Sequence, residues 1–410
     1  MNETIERDIL ELIRRSTPRR TAWNLEKVRA GRDVEWNYID GCMLTALTAM
    51  TEITGDERYL DFVEEVADSF VGEDGTIDTF RPQNHALDDY NEGRILFPLF
   101  ARTGKEKYRK AAEMLHGCLM EQPRTPEGNF WHKQIYPDQV WLDGTYMALP
   151  FLAMYENNFG KGEIRDVMDQ LRVVRKRMRD PETGLYYHGY DASRKAFWAD
   201  PETGLSRNFW LRAIGWYSLA LTDLIEQIPK GMEEREELAD TLRELMESIS
   251  AYADPATGMY WQVVDQGGRE GNYPETSGTL MAAYSLMKGA RLGGWPDPGY
   301  ARKGVEILLA VEATQFRMQD GGLHLGGICK GAGLGPDGNY RRDGSAAYYL
   351  SEEVVEDEQK GVGVCMMAYA EYLKLRALCP EAGPEVSLFL KKYDPVMPDE
   401  IARLEAEKKR

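Results

Sequence analysis

Apolar residues along this chain fall into two alternating helical patterns. In one, they recur at three-to-four spacing on a single face. "TGDERYLDFVEEVADSFV" from Thr54 and "TGKEKYRKAAEMLHGCLM" from Thr103 each read as a turn followed by an amphipathic helix, and segments 161–179, 232–253 and 298–316 repeat the pattern. In the other, apolar and small residues cover most of the helix: "YIDGCMLTAL", "LDDYNEGRILF", "WLDGTYMALP", "FWLRAIGWYSLAL", "TSGTLMAAYSL" and "KGVGVCMMAYAEY". A helix that is apolar on most sides has to be buried, whereas an amphipathic one keeps a face in solvent. A third piece, a glycine turn leading into a short strand, recurs among them: "DGTIDT" from Asp74, "EGNFWH" from Glu127, "TGLYYH" from Thr183, "TGMYWQ" from Thr257 and "GGLHLG" from Gly321.

Recurrence of this kind marks a repeat architecture. Six buried helices in alternation with amphipathic ones predict an all-α fold, an (α/α)6 barrel of six inner and six outer helices with short strands in the loops at one mouth. An open α-solenoid is the alternative. A solenoid does not need Gly and Ala crowding every second helix, whereas a closed ring does, because its inner helices pack tightly. Gly41, Gly93, Gly144, Gly215, Gly278 and Gly363 are therefore expected on inner helices. No low-complexity linker interrupts the pattern, so residues 1–410 are expected to form one catalytic domain.

The net charge of −18 narrows the class of partner. Nucleic acid is disfavoured, since its phosphates need clustered Lys and Arg. An anionic ligand would need local cations to offset the overall field. The opening "MNETIERDILELIRRS" lacks the apolar core of a secretion signal, and no apolar run is long enough for a membrane helix. Five scattered cysteines suit free thiols. A cytoplasmic protein, monomeric or weakly dimeric, is expected, with no membrane or nucleic-acid partner.

If the inner helices start at one rim, their opening residues meet there. These are Trp36, Asn37, Tyr38 and Asp40; His85, Asp88 and Asp89; Trp141 and Asp143; Trp210, Arg212 and Trp216; and Tyr273 and Glu275. The strand pieces add His132 and His188, each four residues after its turn glycine, Gly128 and Gly184. Positive helix ends and aromatic walls suit a sugar carrying a negative group. Each acid also has a plainer reading, because Asp is a favoured N-cap, and each Trp could be core. Three acids at adjacent helix starts, each beside Trp, Tyr or His, favour chemistry.

Other signals carry less. "GAGLGPDGNYRRDGS", residues 331–345, lacks the strand–turn–helix setting of a dinucleotide fingerprint and has no P-loop lysine; it reads as a mobile rim loop bearing Arg341 and Arg342. Zinc spacing, HExxH and the G-x-S-x-G elbow are all missing. No metal or cofactor is expected.

The blocks "FWHKQIYPDQVWLDGTYMALPF", "NFWLRAIGWYSLAL", "YPETSGTLMAAYSLMKG" and "YRRDGSAAYYLSEEVVEDEQKGVG" resemble the unsaturated rhamnogalacturonyl hydrolases, glycoside hydrolase family 105. The resemblance runs from about residue 35 to 378, with the family 88 unsaturated glucuronyl hydrolases more distant. It implies an (α/α)6 barrel and a cytoplasmic enzyme that removes a 4,5-unsaturated uronic acid from oligosaccharides left by polysaccharide lyases. By the same resemblance Asp143 matches the proton donor and Asp88 a second acid of the site. His132, Lys133, His188, Trp210, Arg212 and Trp216 fall on substrate-contact positions, and Trp141 opens the same helix as Asp143. Asp40 and the loop near Gly333 correspond more loosely, and the first inner helix, "WNYIDGCM", departs most from the family pattern. Competing readings are an unsaturated glucuronyl hydrolase acting on other lyase products, a glycosidase cleaving saturated uronides with Asp143 and Asp88, an epimerase using paired histidines, and a non-catalytic oligosaccharide-binding protein.

Overall fold

The computed structural model describes residues 2–382 except 163, 294, 296, 298, 320 and 321. Gly321 of the fifth strand piece, the side chain of Cys379 and residues 383–410 lie outside the described residues.

Helix α1 (Asn2–Arg14) and the short α2 (Leu25–Arg29) lead into the first inner helix, α3 (Tyr38–Thr54), and its outer partner α4 (Glu57–Phe70). Two 3-10 turns, Leu87–Tyr90 and Glu92–Ile95, precede α5 (Leu96–Thr103), which is backed by α6 (Glu106–Met120). The next hairpins are α7 (Leu142–Asn158) with α8 (Arg165–Met178), α9 (Leu211–Gln227) with α10 (Glu233–Ser250), and α11 (Thr276–Leu292) with α12 (Gly299–Gln315). The short α13 (Ala346–Leu350) precedes the last inner helix, α14 (Gln359–Ala382). Each inner element packs on the next, and α14 returns to α3, closing an (α/α)6 ring among the described residues. Helix α1 supplies the sixth outer position: Ile5 and Ile9 are buried in the core, and Tyr369 of α14 donates to Glu6 at 3.1 Å.

Burial follows the two sequence patterns. Helix α9 is buried continuously from Leu211 to Ile225 and α11 from Thr276 to Gly289, whereas α4 and α8 bury one face. The six expected glycines sit at the seams. A Cβ on Gly41 would stand 2.8 Å from the Glu92 backbone, and one on Gly363 within 3.2 Å of the Cys42 backbone, so these neighbours could not approach if either residue carried a side chain. Gly93 meets Leu115 and Phe151, Gly144 meets Leu87 and His132, Gly215 meets Met281, and Gly278 meets Leu211.

The second inner element departs from the expected continuous helix. Pro98 has no N–H to bond the Arg94 carbonyl, and regular α-helix begins at Leu96, which places the proline in the first turn. The chain before it winds into the tighter 3-10 turns.

The glycine–strand pieces are antiparallel bridges, Val71 to Ile77, Arg124 to Phe130, Arg179 to Tyr186 and Ala253 to Tyr260. Each turns on a glycine with positive φ: Gly75, Gly128, Gly184 and Gly258. They return the chain from an outer helix to the start of the next inner one. Three two-stranded ribbons complete the mouth: β1 (Gln139–Trp141) with β2 (Gly189–Asp191), β3 (Phe316–Gln319) with β4 (Gly322–Leu325), and β5 (Ile328–Cys329) with β6 (Val354–Val355). No helix among the described residues is long and apolar enough to cross a membrane.

Candidate active site

The repeat delivers one side chain per turn to the same rim. Four residues after the turn glycines stand Thr79, His132, His188 and Gln262. The Thr79 hydroxyl accepts from the Trp36 N–H at 2.8 Å, His132 and His188 are buried, and the Gln262 side chain accepts from Trp210 Nε1 and donates to the Tyr349 carbonyl, both at 3.2 Å.

Pairing of Trp141 with Gly189 in the β1–β2 ribbon sets the register of the site, and the Leu142 N–H donates to the His188 carbonyl at 3.1 Å. Asp143 follows in the first turn of α7 and comes to lie with Oδ2 3.2 Å from His188 Nε2. Neither atom makes an aligned hydrogen bond, although both are buried. On its other side the His188 ring is fixed by Nδ1, 2.7 Å from the Tyr349 hydroxyl.

None of the three expected acids caps its helix. Asn37, not Asp40, caps α3, and the turns at Asp88 and Asp143 have no side-chain cap bond. Asp88 instead pairs with Lys133 Nζ at 2.5 Å and lies 3.8 Å from His132 Nε2. Burial alone would push its carboxyl up, but the adjoining ammonium of Lys133 wins and holds it below its ordinary value. Lys133 is raised in return, the carboxylate outweighing burial. Burial pushes the His132 imidazole down to about 4, so the ring is neutral at pH 7 and its approach to Asp88 is not an ion pair. The next residue, Asp89, is pushed up to about 7 by burial and by the Asp88 charge.

Aromatic rings wall the acids. His132 stacks on Trp141 at 4.4 Å, and Gly144 leaves room for it, since a Cβ there would stand 3.1 Å from His132 Nδ1. Trp141 meets His188 edge-on at 5.4 Å, and Trp210 lies 4.8 Å from the His188 ring and parallel to Tyr349. Below them Trp216 stacks on Tyr146 at 5.3 Å with Tyr38 edge-on to it. Gly333 brings the 331–345 loop against Trp141, where a Cβ would be 3.3 Å from the ring.

The structure therefore gathers Asp88, His132, Lys133, Trp141, Asp143, His188 and Trp210 at one mouth, with Trp216 beneath and Gly333 at the edge. Arg212 is fully buried under Trp210, its guanidinium 5.1 Å from that ring and donating to the Cys329 carbonyl at 2.5 Å and the Ser277 hydroxyl at 3.2 Å. Asp40 is turned elsewhere: it accepts from Trp23 and Asn24 at 2.7 Å and from Asn37 at 3.2 Å. Burial raises its carboxyl in spite of these donors.

Three further groups reach the site. Gln262 was legible from its glycine offset. Tyr349 and the buried Lys360, which pairs with Glu358 and is held below its ordinary value by burial and Arg212, stand at no repeat position. Among the described residues no three His, Cys, Asp or Glu side chains gather as a metal-binding group.

The family model for Glycosyl Hydrolase Family 88 matches residues 12–376. A solved structure of a family 105 glycoside hydrolase from C. acetobutylicum ATCC 824 superposes with a TM-score of 0.82 at 39% identity, over 90% of this chain and 98% of that one. A 24.9 kDa protein in the picA locus of Rhizobium radiobacter is 42% identical over 235 residues, 56% of this chain and 99% of the relative. The unsaturated rhamnogalacturonyl hydrolase YesR of Bacillus subtilis (strain 168) is 25% identical over 267 residues, 63% of this chain and 72% of that protein. Matched along most of its length, the chain belongs to the glycoside hydrolases of families 88 and 105 and is an enzyme of the unsaturated uronyl hydrolase type.

Proposed function

We propose that this enzyme removes a non-reducing-end 4,5-unsaturated galacturonate joined to rhamnose, by hydrating the C4=C5 double bond. The single observation that carries the chemistry is Asp143, a ring-walled carboxyl whose buried Oδ2 faces His188 without a hydrogen bond. The choice of galacturonate on rhamnose rests on the resemblance of the sequence blocks and on the name of the Bacillus subtilis relative.

The double bond of such a uronide is an enol ether, so C4 is a basic carbon. Asp143 gives its proton to C4, leaving oxocarbenium character at C5. Water adds at C5, and its proton returns to Asp143. The resulting hemiketal opens to a keto sugar and frees the neighbouring hydroxyl, so the glycosidic bond is never attacked directly. Asp88, fixed as a carboxylate by Lys133, orients the sugar or the water. Lys133 supplies local positive charge for the uronate carboxylate in a protein of net charge −18, the neutral His132 ring and His188 add hydrogen-bond donors, and Arg212 beneath Trp210 reinforces the positive field.

The whole chain acts as one catalytic unit in this reading, as a monomer or weak homodimer. Free thiols at Cys42, Cys118, Cys329 and Cys365 suit a cytoplasmic setting. Mixing the enzyme with lyase-digested rhamnogalacturonan should abolish the near-ultraviolet absorbance of the conjugated uronate. If the sugar linkage is cut while that absorbance persists, the reading fails.

A further inference from the structure

At the outer edge of the mouth two loops form a surface that the hydration step does not use. The first follows β2. Asp191, buried, accepts the N–H groups of Ser193, Lys195 and Ala196 at 2.9, 2.8 and 2.7 Å, which fixes the turn that presents Phe197. The second is the 331–345 loop, expected from sequence to be mobile. It is tied into a narrow tongue: Gly335 N–H donates to the Arg342 carbonyl at 2.8 Å and Arg342 N–H to the Asn339 carbonyl at 3.2 Å. Its ends are held by Gly333 N–H on the Tyr348 hydroxyl at 3.0 Å and by Asn208 Nδ2 on the Gly344 carbonyl at 2.8 Å.

Three side chains stand out on this surface. Tyr340 is 67% exposed at the tip of the tongue and meets Phe197 edge-on at 5.0 Å. An exposed aromatic beside a sugar pocket offers the C–H face of a pyranose a stacking partner. The third is Arg342. One of its terminal nitrogens lies 3.2 Å from where a Gly333 Cβ would be, beside the benzo end of Trp141 and away from the end that faces Gly189. Its neighbour Arg341 is neutralised by Glu352 at 2.7 Å, and Arg207 is 4.0 Å from Asp343, but Arg342 forms no ion pair among the described residues. A half-buried guanidinium left unpaired in so acidic a protein is a fork for a carboxylate.

We propose that Phe197, Tyr340 and Arg342 form a subsite for the leaving part of the substrate, with Tyr340 stacking a sugar beyond the cleaved linkage and Arg342 binding the carboxylate of a second uronic acid. This rests on the reading of the site as an unsaturated uronyl hydrolase. Uronate polysaccharides carry many carboxylates, so any fragment longer than a disaccharide can present one to Arg342.

The test compares kcat/KM for an unsaturated disaccharide and for a tetrasaccharide that carries a second uronate, in the wild-type enzyme, Tyr340→Ala and Arg342→Gln. The wild type should favour the tetrasaccharide by about tenfold, the scale of one charge-assisted bidentate contact. Each variant should bring that ratio towards one, and a tetrasaccharide with its saturated carboxyl reduced should give the wild type the ratio of Arg342→Gln. A flat wild-type ratio with good disaccharide turnover overturns this subsite alone. So does an Arg342→Gln enzyme that loses both substrates equally, which would place the arginine in the first sugar's pocket. Failure to consume either substrate overturns the functional reading and the subsite with it.

Discussion

Two carboxylates, one deep in the barrel and one at its mouth, are treated in opposite ways. Asp223, near the end of α9, accepts from Arg94 at 2.6 Å, Tyr284 at 2.7 Å and Lys288 at 2.8 Å. Burial opposes its charge, but the two cations win and hold the carboxyl far below the usual range. Among the described residues the side chain of Asp143, at the start of α7, makes no hydrogen bond, and its buried Oδ2 faces His188 Nε2 at 3.2 Å. A carboxylate wrapped in three donors is committed to one charge and holds helices together. One whose Oδ2 is left unbonded stays open to a ligand. In the proposed mechanism the same barrel uses full satisfaction where it needs structure and leaves a gap where it needs chemistry.

The sharpest way to break this contrast is at Asp143. Asp143→Asn should fold normally, by circular dichroism and melting, yet lose at least about a thousandfold in kcat. A variant with kcat within tenfold of wild type would remove Asp143 from the proton transfer. Asp223→Asn should behave in the reverse way. It leaves buried Arg94 without its ion partner and Lys288 with Glu226 alone, so stability should drop by roughly 3–5 kcal/mol in urea titrations. The molecules that remain folded should keep kcat within a few-fold. Unchanged stability would mean that the deep cluster is not what holds the Glu92–Ile95 turn, α9 and α11 together.

His132 sharpens the comparison through pH. Its folded value of about 4 lies below the unfolded value of about 6.5, so between these limits the unfolded chain binds the proton and the folded one does not. Stability contributed by this group is therefore present above pH 6.5 and lost as pH falls towards 4, by roughly 3 kcal/mol at most. His132→Gln should flatten that part of the stability–pH curve, and an identical slope in the variant would show that the ring is not kept neutral by burial. The smallest effect is expected at Arg212. Arg212→Ala should lower kcat/KM by roughly tenfold while the fold persists, and wild-type kinetics would take it out of substrate recognition.

Much of the ring could be read from the chain because a closed barrel forces a composition on its inner helices. Gly41, Gly215 and Gly278 mark seams where neighbouring backbones or side chains leave no space for a Cβ. What escaped depends on single residues or on distance. The second inner helix gives way to 3-10 turns ahead of Pro98, which the small-residue pattern alone does not show. Helix α1 becomes the sixth outer helix only because α14 returns to it; its spaced Ile5 and Ile9 are too few to announce that role.

At the site, the glycine offset that marks His132 and His188 marks Gln262 equally, but an amide has no acid–base chemistry to single it out in a sequence. Tyr349 and Lys360 lie on no repeat position and reach the mouth through long-range packing. Asp40 shared the pattern of Asp88 and Asp143, but Trp23 and Asn24, upstream of the first repeat, claim its carboxyl.

The measurement that bears most directly on the role of Asp143 is the fate of the water oxygen. Turnover of an unsaturated uronyl disaccharide in water enriched in heavy oxygen, analysed by mass spectrometry with trapping of the nascent keto sugar, should place the label at C5 of the released uronate. Label at its anomeric carbon C1 would mean direct attack on the glycosidic bond, and would contradict proton delivery by Asp143 to C4.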